Sequence, residues 1–191
     1  MRIGLYGGTF DPVHLGHLLV AQAALEELGL DRLFFIPATL SPFKPGSQPT
    51  ESNIRARLLR LALTGHTNCE VSDVELQRGG ISYTIDTVRD FARRFPGASL
   101  FWLIGADHVA ALPQWRDADQ LAQLVHFVVI PRPGEPITSS PPRFQLHPLQ
   151  GWPIKVSASE IRARAAAHRS IRHLVPAAVA DAIERDHLYG A

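Results

Sequence analysis

Residues 4–17 read G-L-Y-G-G-T-F-D-P-V-H-L-G-H, and this stretch decides the fold. The apolar run 1–6 predicts a short buried strand. Gly7 and Gly8 are expected to end that strand, because glycine adopts backbone angles that other residues avoid. Asp11-Pro12 indicates a turn, and apolar residues from Val13 onward recur at helical spacing. The stretch therefore predicts a strand, a glycine loop and a helix.

Two histidines lie at the start of the predicted helix. His14 and His17 are three positions apart, so they share one face of its first turn. A helix N-terminus has free N–H groups and the positive dipole pole, and glycines let a phosphate approach the backbone. The segment matches neither G-x-x-x-x-G-K-[ST] nor G-x-G-x-x-G. A phosphate site is one interpretation, and a turn followed by a helix with two surface histidines is the other.

Strand-like and helix-like segments alternate along the rest of the chain. The predicted strands are 33–37, 69–72, 99–105, 125–130, 144–149 and 154–156. The predicted helices are 51–65, 82–95, a short one ending at Leu124, 159–168 and 175–188. Residues 131–142, which contain five prolines, predict a surface loop. This order predicts an α/β, Rossmann-like, doubly wound parallel sheet with helices on both faces, in a single domain over residues 1–191.

The predicted sheet also indicates where a ligand would bind. In open α/β sheets, ligands bind outside the carboxyl ends of the strands, where the strand order reverses. The loops after Tyr6, Pro37, Gly105 and Ile130 are therefore expected to line one crevice.

Composition narrows the class of protein. The chain is 46% hydrophobic and 19% charged with a formal net charge of +1, which gives no electrostatic reason to expect nucleic acid or a membrane as a partner. Cys69 is the one cysteine, so neither a disulfide framework nor a thiolate metal cluster is expected. No secretory segment or membrane-length apolar run is apparent. A cytoplasmic enzyme is the expectation, and the oligomeric state stays open, with a homo-oligomer among the alternatives.

A second phosphate signal lies at residues 156–162, V-S-A-S-E-I-R. Serines ahead of a helix, the free N–H groups of its first turn and Arg162 together form a cradle for phosphate. The alternative is that Ser159 simply caps the helix, which contributes about 1 kcal/mol. Lys44, in a loop rich in proline and glycine, is either another phosphate contact or a solvated side chain.

These segments resemble a known superfamily. G-G-T-F-D-P-V-H-L-G-H resembles the nucleotidyltransferase signature G-[ST]-F-D-P-x-H-x-G-H, and S-A-S-E-I-R resembles S-[ST]-T-x-I-R with Ala158 and Ser159 as departures. The resemblance implies a site that binds ATP phosphates and transfers a nucleotidyl group, with His14, His17, Lys44 and Arg162 as catalytic residues. Histidines, lysine and arginine would form two clusters of positive donors on one triphosphate. The ATP-binding set it implies is Gly7, Gly8, Thr9, Phe10, His14, His17, Lys44, Ser157, Ser159, Ile161 and Arg162.

Motifs in the middle and near the end of the sequence narrow the resemblance from the superfamily to one family. Five segments resemble those of bacterial nicotinate-mononucleotide adenylyltransferases. They are R-x-G-x-S-Y-T-[IV]-D-T at 78–87, [FW]-x-[IL]-G-x-D at 101–107, L-x-x-W at 112–115, L-V-P at 174–176 and H-x-L-Y at 186–189. The tail departs slightly, since Asp186-His187 replaces their usual His-Gly. The mononucleotide-binding residues that this implies are Thr84, Ile85, Asp107, Trp115 and Arg116.

Each of these residues also has a structural interpretation. Trp115 is either a stacking partner for the pyridine ring or a core aromatic residue. The backbone N–H groups of Thr84 and Ile85 suit the nicotinate carboxylate, but Thr84 and Asp86 could instead merely cap the helix. Asp107 either accepts from a ribose hydroxyl or caps the next helix.

The function that the resemblance implies is adenylyl transfer from ATP to nicotinate mononucleotide, giving deamido-NAD and pyrophosphate. An attacking phosphate is already an anion, so no general base is needed, and Mg²⁺ would be held mainly through ATP phosphates without a dedicated metal site. Two alternatives remain: a pantetheine-phosphate or cytidylyl transferase, and a non-catalytic nucleotide-binding domain. The intact H-x-G-H with Lys44 and Arg162 counts against the second, and the S-Y-T-I-D-T and L-P-Q-W segments count against the first.

Overall fold

The structure is a computed structural model, which describes residues 1–42, 48–131, 141–152 and 154–191. Six parallel strands form one sheet in the order β3-β2-β1-β4-β5-β6. The strands are β1 Arg2–Gly8, β2 Arg32–Pro37, β3 Cys69–Val71, β4 Ser99–Gly105, β5 Val125–Ile130 and β6 Leu146–Pro148. The strand order reverses between β1 and β4, which are neighbours in the sheet.

Seven α-helices and two 3₁₀ helices lie in the part of the chain that is described. The α-helices are α1 Leu15–Glu27, α2 Ser52–Ala62, α3 Val74–Arg78, α4 Thr84–Arg94, α5 Ala118–Leu124, α6 Ala158–Ala166 and α7 Ala177–Arg185. The 3₁₀ helices are Ala106–Gln114 and Leu188–Gly190.

Alternate strand residues feed two hydrophobic cores, one on each face of the sheet. In β2, Phe35 packs on one side with α1, α2, α6 and α7, while Phe34 packs on the other with α4 and α5. In β4, Phe101 packs on the same side as Phe35, and Trp102 packs on the same side as Phe34. The prediction of a doubly wound, Rossmann-like parallel sheet is therefore confirmed.

The first strand ends at Gly8, two residues beyond its predicted end at Tyr6. Gly7 and Gly8 both belong to β1 and pair with Ile36 and Pro37 of β2. Space explains the glycines, because a Cβ on Gly7 would lie 2.8 Å from Cζ2 of Trp102, and one on Gly8 would lie 3.0 Å from Cζ of Phe10.

The predicted strand 154–156 is wrong, because these residues form no regular element. The segment instead lies along α1. The Gly151 N–H donates to Glu27 at 2.7 Å, at the end of α1, and Ile154 lies beside Gly16, at its start. Two short elements, α3 and the 3₁₀ helix Ala106–Gln114, were not predicted. Most of the predicted loop 131–142 lies outside the described residues.

Candidate active site

The loop between β1 and α1 brings His14 and His17 into contact. His14 is the residue that caps the N-terminus of α1, with extended backbone angles, and His17 is at the third helical position. The backbone N–H of His14 donates to Nδ1 of His17 at 3.1 Å. The two rings stack with centroids 3.7 Å apart, and Phe10 packs edge-on against His17 at 4.9 Å. The two imidazoles therefore form one fixed pair.

Both histidines are neutral near pH 7 in the unliganded protein. Burial lowers the pKa of His14 to about 4. Burial, and then the neighbouring His14, lower the pKa of His17 well below its ordinary value. Since Nδ1 of His17 accepts a hydrogen bond, its proton is on Nε2, which is left as a donor. The expected cluster of positive charge is thus corrected to a pair of neutral imidazoles.

The start of α1 offers fewer free amides than the sequence predicts. The Leu15 N–H donates to the Leu174 carbonyl at 3.0 Å, and the His17 N–H donates to the His14 carbonyl at 2.9 Å. Nδ1 of His14, in contrast, is buried and has no hydrogen-bond partner among the described residues. A buried polar atom without a partner calls for a ligand or water, so this nitrogen is a candidate contact for substrate.

The N-terminus of α6 reaches the same loop. Arg162, which is half-buried, donates from Nη1 to the carbonyl of Asp11 at 2.6 Å. Ser157, not Ser159, is the residue that caps the helix, and its hydroxyl accepts from the Glu160 N–H at 3.2 Å. Ser159 is exposed in the first turn. The structure therefore joins two segments about 150 positions apart in the sequence, as the span from Asp11 to Arg162 shows.

Other members of the predicted ATP-binding set have structural roles. Ile161 is fully buried, and its N–H donates to the Ser157 carbonyl, so its place in the set depends on its position in the motif alone. Phe10 is buried beneath the histidines with a left-handed φ of 49°. The Thr9 carbonyl accepts from Arg55. Lys44 lies outside the described residues.

A buried arginine supports the loop from below. Arg55 of α2 is fully buried and donates to three groups: the Thr50 carbonyl at 2.7 Å, the Thr9 carbonyl at 2.7 Å and the Ser52 hydroxyl at 3.0 Å. Burial lowers its pKa, and the Asp11 charge opposes this shift. Because its donors are used by protein groups, Arg55 holds the loop and does not extend towards a ligand.

The predicted mononucleotide residues lie at the start of α4, at the start of the 3₁₀ helix Ala106–Gln114 and directly after the end of that 3₁₀ helix. Thr84 and Ile85 are the first residues of α4, and the Ile85 side chain is buried, so only its backbone can contact a ligand. The Arg116 guanidinium lies over the Tyr83 ring, 4.7 Å from its centroid, at the same helix start. Asp107 is at the start of the 3₁₀ helix, and its Oδ2 atom lies 3.6 Å from Nε2 of His108.

Trp115 combines the two interpretations given above. Its ring is only partly buried and packs edge-on against Phe127, with centroids 6.1 Å apart. It also lines a cleft of about 500 Å³ that includes Arg89 and Arg143. The ring is therefore anchored on the core while part of it borders open space.

Three residues that support the site were missed as functional residues. Asp11 and Tyr189 are hydrogen-bonded at 2.8 Å beneath the histidine loop. Glu75 of α3 is buried and accepts from the Thr87 hydroxyl of α4 at 2.7 Å. Burial raises the pKa of Glu75. Asp11 and Tyr189 belong to the quoted motifs and could have been found there, whereas nothing in the sequence marked Glu75.

The described residues contain no group of three or more His, Cys, Asp or Glu side chains arranged to hold a metal ion. Within the same ranges, no helix is both long and apolar enough to cross a membrane.

Comparison with known proteins places the chain in a family. The cytidylyltransferase-like family model matches residues 5–164. The "Probable nicotinate-nucleotide adenylyltransferase" of Opitutus terrae is 44% identical over 99% of this chain and 98% of its own length. The protein of that name from Thermus thermophilus is 41% identical over 99% of this chain and its whole length. The Plasmodium falciparum nicotinic acid mononucleotide adenylyltransferase, solved with NaAD, superposes with a TM-score of 0.81 at 18% identity, covering 98% of this chain and 97% of its own. The chain therefore belongs to the nicotinate-nucleotide adenylyltransferase family, within the cytidylyltransferase-like proteins.

Proposed function

We propose that this chain transfers the adenylyl group of ATP to nicotinate mononucleotide, giving deamido-NAD and pyrophosphate in NAD biosynthesis. The observation that carries the proposal is the 2.6 Å contact from Arg162 to Asp11. It places the arginine of the second phosphate motif on the loop that carries His14 and His17. One triphosphate can then contact both motifs.

The transfer needs positioning and charge stabilisation more than proton transfer. A phosphate oxygen of the mononucleotide attacks the α-phosphorus of ATP, the bond from that phosphorus to the bridging oxygen breaks, and pyrophosphate leaves with the electron pair. Nε2–H of His17 is a neutral donor suited to an α-phosphate oxygen. Arg162 supplies a planar cation for the leaving β- and γ-phosphates. Lys44 is proposed to join them on the phosphates.

The start of α4 is proposed to hold the nicotinate carboxylate. The N–H groups of Thr84 and Ile85 lie in its first turn, where a helix favours anions. Arg116 adds a cation 4.7 Å from the Tyr83 ring centroid. Trp115 is proposed to stack on the pyridine ring, an interaction of about 1–3 kcal/mol by analogy with base stacking. Asp107 is proposed to accept from the ribose.

Mg²⁺ is proposed to arrive as part of the magnesium complex of ATP. Asp11 is the carboxylate closest in sequence to the histidines, but both of its oxygens accept protein hydrogen bonds, from Tyr189 and from the Thr50 N–H. Magnesium keeps several waters and commonly binds through substrate phosphates.

We also propose a single domain over residues 1–191 and a cytoplasmic location.

The test compares acceptors and nucleotides in one assay. The purified protein is given Mg²⁺ with ATP or CTP, and nicotinate mononucleotide, nicotinamide mononucleotide or phosphopantetheine, and pyrophosphate release is followed. We expect turnover with ATP and nicotinate mononucleotide. Turnover only with CTP or only with phosphopantetheine would contradict the proposal.

The matched variants remove one imidazole each. His17→Ala should lower kcat by roughly 10²–10³, because a preorganised donor to the reacting phosphate is lost. His66→Ala removes an exposed histidine after α2 and should leave kcat unchanged. Equal rates for His17→Ala and wild type would exclude the assigned role.

A further inference from the structure

The C-terminal 3₁₀ helix Leu188–Gly190 directs one side chain towards the histidine loop. Tyr189 has a left-handed φ of 61°, which is unfavourable for an aromatic residue. Its hydroxyl donates to Oδ1 of Asp11 at 2.8 Å, and burial raises the pKa of the phenol, so it remains a donor throughout the neutral range. The backbone of Tyr189 is therefore strained in the conformation that lets its side chain contact Asp11, 178 positions earlier in the sequence.

Asp11 connects this contact to the phosphate arginine. The residue is 6% exposed, and its second carboxylate oxygen accepts from the Thr50 N–H at 3.1 Å. Its backbone carbonyl accepts from Nη1 of Arg162 at 2.6 Å. The side chain of Asp11 is therefore fixed by Tyr189 and Thr50, while its main chain fixes the direction of the guanidinium.

We infer that Tyr189 is a positioning residue for ATP, which acts through Asp11 to hold Arg162 in the orientation that binds the triphosphate. The inference depends on the proposed function insofar as Arg162 binds phosphate. Tyr189 does not touch substrate and takes part in no bond-making step.

The effect should be confined to the ATP side of the site. Tyr189 packs against the core on the α1 and α7 face of the sheet, whereas Ile85 and Trp115 pack on the opposite face. Loss of the hydroxyl should therefore change ATP parameters and leave those of the mononucleotide unaltered.

The primary test is Tyr189→Phe, which keeps the ring and removes only the hydroxyl. Without the hydroxyl, one oxygen of the Asp11 carboxylate loses its donor, so the carbonyl that orients Arg162 is held less firmly. We expect kcat/KM for ATP to fall by about ten-fold, with the KM of nicotinate mononucleotide unchanged within two-fold. Unchanged kcat/KM for ATP would overturn the inference.

A double-variant cycle separates positioning from a general loss of structure. If Tyr189 acts through Arg162, then Tyr189→Phe in an Arg162→Ala background should change kcat/KM for ATP by less than two-fold, because no guanidinium remains to be oriented. Fully multiplicative effects of the two substitutions would overturn the inference.

A control in the same tail measures what loosening alone does. Asp186→Asn breaks the ion pairs of Asp186 with Arg57 and Arg185 but leaves Tyr189 and Asp11 intact. We expect it to lower the unfolding temperature while the KM for ATP stays within two-fold of wild type. If Asp186→Asn raised that KM as much as Tyr189→Phe does, the specific role of Tyr189 would be lost.

Calorimetric titration with ATP gives a readout that is independent of turnover. Tyr189→Phe should bind ATP about ten-fold more weakly than wild type, and equal affinities would overturn the inference. If the wild type binds ATP but forms no product with nicotinate mononucleotide, the proposed function fails, while the ratio of the two ATP affinities still decides the role of Tyr189.

Discussion

At the scale of single residues, His14 and His17 show how burial changes the chemistry of a motif. The rings stack at 3.7 Å, and burial makes both neutral near pH 7. A neutral imidazole with its proton on Nε2 donates a hydrogen bond without the desolvation cost of a buried cation. The pair is therefore suited to binding phosphate oxygens by directed donors, while Arg162 and Lys44 are proposed to supply the charge.

The depressed pKa of His14 predicts a pH dependence of stability. Its pKa is 6.5 when unfolded and about 4 when folded, so the unfolded chain binds more protons between these values. Stability is complete above pH 6.5 and falls as the pH drops towards 4, by up to about 3 kcal/mol from this residue. Urea unfolding at a series of pH values should show a smaller loss for His14→Asn than for wild type.

Comparison of the two proteins measures the contribution of His14 together with its effect on His17, whose pKa it also lowers. Burial raises the pKa of Glu75, which acts with the opposite sign, since its contribution decreases as the pH rises above 4.5. Because Glu75 is present in both, its contribution cancels in the difference. Identical pH profiles for His14→Asn and wild type would contradict the assigned pKa.

At the scale of elements, helix α2 determines where the first loop lies. Arg55 is fully buried, and its guanidinium serves the Thr9 and Thr50 carbonyls and the Ser52 hydroxyl. A loop that carries two stacked histidines needs such support, because a loop alone has many conformations of similar energy.

Arg55→Met should show the contribution of this support. The substitution keeps most of the side-chain volume but leaves two carbonyls without their donor, so we expect a loss of about 2–4 kcal/mol in the free energy of unfolding, with reduced activity. Arg60→Met, in the same helix, breaks only the exposed ion pair with Asp73 and should cost less than about 1 kcal/mol. Chemical denaturation of both variants measures the difference, and similar losses would contradict the role given to Arg55.

Most regular elements could be predicted from the sequence, for a physical reason. The central strands β2, β4 and β5 are buried on both faces and therefore appear as continuous apolar runs. The predicted end of the first strand fell short of Gly7 because a glycine can mark a turn or a close contact, and only the structure shows Trp102 against Gly7. The short helix Val74–Arg78 is less than two turns long and leaves little periodicity to detect.

At the scale of the whole molecule, the proposed ATP side of the site is assembled from segments more than 150 positions apart. Motif resemblance identified His14, His17 and Arg162 separately, but it could not show that the two histidines are neutral or that the Asp11 carbonyl links their loop to Arg162. The contact of Asp11 with Tyr189 could not be predicted, because no local pattern encodes a pairing of residues so distant in sequence. Lys44 remains a prediction.

This assembly predicts that ATP stabilises the whole fold. With Mg²⁺ and ATP at about 100 times its Kd, binding should add roughly 2.7 kcal/mol to the free energy of unfolding. In Arg162→Ala most of the resulting rise in unfolding temperature should disappear. Arg164 lies in the same helix as Arg162 and its side chain donates only to the Ser170 carbonyl among the described residues, so Arg164→Ala should keep the rise in unfolding temperature. Equal shifts for both variants in a thermal melt would show that Arg162 does not bind the nucleotide.

The bond from Tyr189 to Asp11 also has a consequence for biosynthesis. During translation the first strand and its loop leave the ribosome long before the residue that completes their support has been added. The proposed nucleotide site lacks this hydrogen bond until Tyr189 has emerged from the ribosome. The proposed site is therefore expected to reach full competence only after Tyr189 has been added.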